Sequence, residues 1–305
     1  MAGPVTDRFK LNVSDDEIRE VLAPFIVKTY AQTDAEWRRL VRKLSIVMFF
    51  ASLRRVFRNL IGRNYTSKVV GEIYARNWSK HAPAEPGALR ATRPSIWGDQ
   101  AFMLDARGLK RVYLLCMMRF LGAVKPENAL EVGFGGGQQL LPLAARFPEI
   151  AFSGVELTEA GVATTRSIVQ SGELPPAIVE FSPEPFEDIS GLSRLNLQQG
   201  SAVELPFEDN TFDVVYTVLA VEQMESVRRE ALAELVRVSR RYVVMFEPFA
   251  DWNQTFLRRA FIHSSGYFNG TIAEVAALGC EPVCIRPDLP APARQGNGLV
   301  IFEKK

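Results

Sequence analysis

The sequence predicts an α/β fold: a doubly wound, mostly parallel seven-stranded sheet closed by an antiparallel hairpin, with an N-terminal helical extension. Three observations predict it. From residue 128 onward, short apolar runs alternate with helical stretches, the pattern of parallel strands joined by crossover helices. The first of those runs, ALEV, passes directly into GFGGG and then into a helical stretch. The last two, EPVCIRPDL and LVIFEKK, are separated by APARQGNG, a Gly/Asn-rich gap that suits a hairpin.

The chain has 305 residues, 47% of them hydrophobic, enough for a substantial core. The 36 Lys/Arg and 35 Asp/Glu leave a net charge of +1, which argues against a protein devoted to nucleic acid. Three cysteines, Cys116, Cys280 and Cys284, make no disulfide framework and no common zinc spacing, and two histidines do not make a His-based metal centre. No metal is expected. Without a secretory signature, the expected setting is cytoplasmic and reducing.

Taken in order, residues 1–65 form a basic, apolar-centred helical segment. They hold twelve Lys/Arg against seven Asp/Glu, and 37–63 hold eight basic residues and no acidic one. The stretch WRRLVRKLSIVMFFASLRRVFRNLIGR reads as helix; its ten-residue apolar middle, LSIVMFFASL, is too short to cross a bilayer but suits a membrane interface. Packing on the chain's own core or on a second subunit of a homodimer is the alternative. Residues 66–127 read as a cap and lead-in. HAPAEPGALRATRPSIWGD reads as loop, then a helix runs from Gln100 to Leu121, ended by Gly122. Tyr74–Trp78 and Trp97–Gln100 are aromatic segments placed to cover a ligand or to pack the cap.

Residues 128–305 form the core. ALEV, FSGVEL, LNLQQ, FDVVYTVLAV and YVVMFE read as strands, with helices at 138–147, 158–171 and 226–239. The long connection at 172–194, with four prolines, reads as a surface excursion or a substrate lid. The glycine turn at Gly133, Gly135 and Gly137 lets backbone approach a ligand at the carboxyl end of its strand. Position 138 is Gln, so the turn is G-x-G-x-G rather than the dinucleotide G-x-G-x-x-G. Glu156 ends the second strand, where an acid can hold ribose hydroxyls of an adenosine cofactor.

With GSAVELPFEDNTFDVV at 200–215, these features resemble the class I S-adenosylmethionine-dependent methyltransferases, in particular the small-molecule type with a G-D-A-x-x-L-P-F segment. The resemblance covers about residues 128–250. It implies S-adenosylmethionine as cofactor, Glu131 near its methionine amine, Glu156 on the ribose, Ser201 and Ala202 beside adenine, and Thr217 beneath the methionine portion. Ser201 stands where the family usually has Asp, which weakens the adenine contact. Methyl transfer to a small-molecule, glycan or lipid-linked acceptor follows, with oxygen favoured. Orientation supplies most of the catalysis, and Glu222, Glu247 and His263 are the candidates for a base. A non-catalytic S-adenosylmethionine-binding protein and a nicotinamide oxidoreductase are the rival readings.

Overall fold

A computed structural model describes residues 9–60, 92–186, 188–265 and 268–305. The seven strands read from the core sequence are all present: β4 (Asn128–Val132), β5 (Ala151–Glu156), β6 (Asn196–Gln199), β7 (Phe212–Val218), β8 (Ser239–Glu247), β9 (Cys280–Arg286) and β11 (Gly298–Lys304). They form one sheet in the order β6-β5-β4-β7-β8-β11-β9, with β11 antiparallel to both neighbours and the rest parallel. The strand order reverses between β4 and β7, so a ligand crevice is expected at the carboxyl ends of those two strands.

Alternation along the buried strands feeds two cores. Val214, Tyr216 and Val218 face one side of the sheet with Ala129, Val244 and Phe246, and Val215, Val243 and Met245 face the other with Leu130 and Val132. The first side is covered by α1 (Asp15–Leu22), α3 (Ala106–Val124), α4 (Leu140–Arg146) and α5 (Glu159–Ser171), the second by α7 (Arg228–Val238). Helix α1 opens with a full capping box, in which the Ser14 hydroxyl accepts the Glu17 N–H and the Glu17 carboxylate accepts the Ser14 N–H.

The region before the core departs from expectation. Residues 1–65 are not helix alone: β1 (Ile26–Ala31) lies between α1 and α2 (Ala35–Leu60). The stretch read as loop holds β2 (Thr92–Trp97), and the first six residues of the expected helix form β3 (Gln100–Asp105). Gly98, at φ 57°, turns β2 into β3. Asp105 then caps α3 by accepting the Arg107 N–H at 2.9 Å, which sets the true helix start. Gly122 does not end this helix. Lys125 takes the left-handed closing position at φ 49°, one residue before Pro126. A short β10 (Ala291–Pro292), inside the gap read as a plain hairpin turn, completes a second sheet in the order β1-β3-β2-β10. This cap therefore joins residues from all three sequence segments, and the boundary at 65/66 does not separate folding units.

The 172–194 connection is no lid. It contains α6 (Pro176–Phe181), whose Phe181 is buried in the core. Arg111 of α3 donates to the carbonyls of Phe181 and Ser182, and Glu184 pairs with Arg119 and Arg146. Arg119 and Arg146 lie near the C-terminal ends of α3 and α4, the ends that lead into β4 and β5. The connection is thus anchored at the edge of the sheet opposite the glycine turn. Trp97 also packs inward, with the Arg19 guanidinium 5.4 Å from its ring, rather than covering a ligand. Tyr74–Trp78 lies outside the described residues.

Candidate functional site

The turn after β4 is held by its neighbours. Gly133, Gly135 and Gly137 have φ of 82°, 56° and 77°. Gly133 donates its N–H to the Val155 carbonyl at 2.8 Å, and a Cβ added there would stand 2.5 Å from the Ala220 Cβ. Left-handed backbone and a missing side chain are both required at this position.

Glu156 is buried at the end of β5. Its Oε2 accepts the Gly135 N–H at 3.0 Å, and its Oε1 accepts the Thr158 N–H at 3.0 Å and the Thr158 hydroxyl at 2.7 Å. A carboxylate has roughly four acceptor sites, so one is left for a ligand. Leu157, next in the chain, is 48% exposed, an apolar platform at the rim that the sequence reading missed. Gly200 donates to the Glu156 carbonyl at 3.0 Å, which brings Ser201 and Ala202 to the same strand ends. The Ser201 hydroxyl accepts the Val203 N–H at 3.4 Å, and Ala202 packs into the core. The glycine turn, Glu156, Ser201 and Ala202 are thus brought together at the carboxyl ends of β4, β5 and β6.

Glu131 sits on β4 and is 2% exposed. The Tyr216 hydroxyl donates to its Oε2 at 3.0 Å. Burial pushes its carboxyl up to about 8 against that hydrogen bond and the charge of Lys110. Burial and the charge of Glu131 together raise Tyr216.

The three candidate bases separate cleanly. Thr217 donates to Glu247 Oε1 at 3.0 Å, the Ala220 and Val221 N–H groups donate to the same oxygen at 3.0 Å, and the Glu222 N–H donates to Oε2 at 3.0 Å. Four donors, three on Oε1 and one on Oε2, tie Glu247 to the turn after β7, which it fixes. Burial and the charge of Glu222 push its carboxyl up to about 8. Thr217 is spent on the same task. His263 is exposed on α8 (Phe256–Ser265). Glu222 follows the turn that Glu247 holds. Its Oε2 accepts the Gln295 side-chain N–H at 3.0 Å, and burial raises its carboxyl against Gln295 and the charges of Lys110, Arg294 and Arg93. Of the two acids at the end of this strand pair, Glu222 is the one bonded through its side chain to Gln295 rather than to the backbone of the turn.

Gln295 and Asn297 were missed because they lie in the gap read as a hairpin turn. Both are buried, and Tyr113 of α3, wholly buried and stacked 5.1 Å from Phe246, lies beside Asn297. Among the described residues, no cluster of His, Cys, Asp and Glu could hold a metal ion.

Residues 130–245 match a protein family described as a methyltransferase domain. Residues 130–245 thus resemble a class I S-adenosylmethionine-dependent methyltransferase domain, and they make up less than half of the chain. A curated relative, the ubiquinone/menaquinone biosynthesis C-methyltransferase UbiE of Dinoroseobacter shibae, is 29% identical over 137 residues, which are 45% of this chain and 48% of that protein. The matched region thus spans about half the length of that relative. Among solved structures, magnesium protoporphyrin IX methyltransferase (ChlM) of Synechocystis PCC 6803, with bound S-adenosylmethionine, superposes with a TM-score of 0.51 at 10% identity, covering 78% of this chain and 96% of that one. The [4+2]-cyclase SpnF superposes with a TM-score of 0.50 at 16% identity, covering 78% and 96%. These two likenesses establish the fold.

Proposed function

We propose that the chain binds S-adenosylmethionine and transfers its methyl group to a small polar acceptor, with Glu222 taking the proton. The observation that carries this reading is the cradle itself: three left-handed glycines after β4, one of them so close to its neighbour that an added Cβ would stand 2.5 Å from the Ala220 Cβ, beside a buried carboxylate that holds the turn and keeps an acceptor site open. Glu156 would hold the ribose, Ser201 and Ala202 the adenine edge with Leu157 against its face, and Glu131 the methionine amine. The cofactor supplies an electrophilic methyl on a sulfonium that departs as a neutral thioether, so no acid is needed for departure. The chain's share is to align the acceptor oxygen, exclude water and receive the acceptor's proton on Glu222. A raised carboxyl is a better proton acceptor near neutral pH than an ordinary one.

The test is a thermal-shift comparison. S-Adenosylhomocysteine at 100 times its dissociation constant should stabilise the protein by ~2.7 kcal/mol, and NADH should not; the reverse pattern would return the oxidoreductase reading. SpnF shows that this fold also serves a cyclase, so methyl transfer itself is tested by product formation, which Glu222→Gln should slow by roughly 10²–10⁴ with cofactor affinity kept. The relative's C-methyltransferase name supports a second reading, in which loss of a phenol proton to Glu222 activates a ring carbon instead of the oxygen.

We also propose that α2 meets an anionic membrane surface. Its inner face, including Trp37 and Met48, is buried, while Ile46, Phe49, Phe50 and Leu53 form a stripe at helical spacing that is 51–61% exposed. Arg39, Arg42 and Lys43 continue that same face N-terminally and are exposed. Basic residues in line with bare apolar ones suit anionic headgroups and acyl chains together. No described helix is long and apolar enough to cross a membrane. Three buried cysteines, none in a disulfide, fit a cytoplasmic setting. Because β1 pairs with β3, deleting the N-terminus would break the cap, so the test is the double substitution Phe49→Ser and Phe50→Ser. It should lower cosedimentation with phosphatidylglycerol vesicles; unchanged sedimentation, or a wild-type dimer that the substitutions split, would assign the face to a second copy.

A further inference from the structure

Helix α8 is an excursion from the carboxyl ends of the core strands. It leaves after β8 and returns to the same place: the Phe268 N–H donates to the Glu222 carbonyl at 3.0 Å, and the Ala250 N–H donates to the Gly270 carbonyl at 2.9 Å. Its lead-in is tied there too, since Asn253 donates to the Phe249 carbonyl at 3.1 Å and the Gly296 carbonyl at 2.8 Å. The two sides of α8 differ. Ile262 is buried, Arg258 donates to the Ala293 carbonyl at 3.1 Å, and the Phe261 ring lies 5.9 Å from the Arg294 guanidinium. On the opposite side, Phe256, Arg259 and His263 are exposed at the helical spacing i, i+3 and i+7, and Phe256 is 80% exposed. The helix carries Arg258, Arg259 and His263 and no acidic residue.

A lone bare phenylalanine needs no explanation. This one belongs to a helix that packs along α2, whose Ile46, Phe49, Phe50 and Leu53 are bare as well. Both helices rest on the same residue of the cap: Ala293 packs against the cluster of Tyr30, Trp37 and Ala101 under α2, and its carbonyl accepts Arg258 of α8. The charge of the pair is one-sided, because α2 has no acidic residue after Glu36 and α8 has none. A second copy set against this face would bring two basic patches together, whereas anionic headgroups complement it.

Building on the reading of α2 as membrane-facing, we infer that α2 and α8 together form one docking face for an anionic bilayer, with Phe256 entering the interface beside the α2 stripe and Arg259 on the headgroups. Because α8 is tied at both ends to the carboxyl ends of β7 and β8, the face holds that end of the sheet, with Glu222 and Glu247, on the bilayer side of the molecule.

The test is cosedimentation of the full chain with phosphatidylglycerol vesicles and, in parallel, with phosphatidylcholine vesicles. The wild type should partition at least tenfold more strongly onto the anionic vesicles. Arg259→Gln should lower that partition coefficient roughly fivefold, the contribution of one basic residue near such a surface. Phe256→Ser should lower it at least as much, and so should the α2 pair Phe49→Ser and Phe50→Ser. Both α8 side chains are exposed, so their substitutions should leave the melting temperature and S-adenosylhomocysteine affinity at wild-type values. If the α2 pair lowers binding while both α8 substitutions leave it within twofold, the joint face is overturned and the reading of α2 survives. If neither helix matters, or the wild type binds no vesicle, both readings fall. Equal binding to the two vesicles, or a wild-type dimer that Phe256→Ser splits, would also overturn the anionic bilayer as the occupant.

Discussion

Glu247→Gln separates a structural carboxylate from a chemical one. Oε1 of Glu247 accepts three donors and Oε2 accepts the Glu222 N–H. A glutamine keeps one acceptor oxygen, so its amide NH₂ must face either the Glu222 N–H or the trio from Thr217, Ala220 and Val221. The better orientation keeps the trio and sets donor against donor at Glu222. One buried N–H without an acceptor costs about 1–3 kcal/mol. Unfolding entropy of ~2.1 cal/mol/K per residue over 305 residues turns this into a Tm fall of about 2–5 °C. Calorimetric melting of wild type and variant, with and without S-adenosylhomocysteine, measures it. Since the turn bears Ala220, which touches the Gly133 position, cofactor affinity should fall as well. An unchanged Tm and unchanged cofactor affinity with methyl transfer reduced by 10² or more would make Glu247 the proton acceptor and refute the assignment to Glu222.

Gly133→Ala combines left-handed strain of ~1–2 kcal/mol with a methyl 2.5 Å from Ala220, which costs roughly 1–3 kcal/mol more; equilibrium unfolding should show a loss of ~2–5 kcal/mol, and a loss below 1 kcal/mol would mean the turn is pliant. Glu156→Ala should weaken S-adenosylhomocysteine by ~1.5–3 kcal/mol, about 10- to 150-fold by calorimetry; equal affinity would move the ribose partner elsewhere. Glu131, at about 8 in the folded chain against an ordinary 4.5, holds a proton that the unfolded chain releases between those values, so it makes stability fall as pH rises from 4.5 to 8. Glu131→Gln should flatten that fall by an amount on the order of a few kcal/mol, read as Tm against pH; an identical slope would show that Glu131 is already ionised near pH 5.

The core sheet was legible because strands buried on both faces must be continuous apolar runs, and a glycine-rich turn has few other uses. The cap sheet was not. Its strand β2 contains Pro94, a breaker within a Pro/Gly-rich stretch, and β3 runs without a break into α3, so six strand residues read as the first turns of a helix. The meeting of the glycine turn, Glu156 and the 200–215 segment at the strand ends was legible because each carries a local pattern. The surroundings of Glu222 come from the turn after β7 and the 293–297 segment, which meet only in three dimensions. Nothing local distinguishes Glu222 from Glu247, since both follow apolar strands. What separates them is where the backbone N–H groups of residues 220–222 point, and they point at Glu247. His263 looked chemical because histidine often is, yet the helix that bears it turns it to solvent.

Hydrogen exchange of the full chain with and without S-adenosylhomocysteine tests the central claim most directly. Slowed exchange should concentrate at 133–137, at 156–158 and at 200–203, the strand ends that the cradle joins. Protection confined to other segments, or none at saturating ligand, would contradict it.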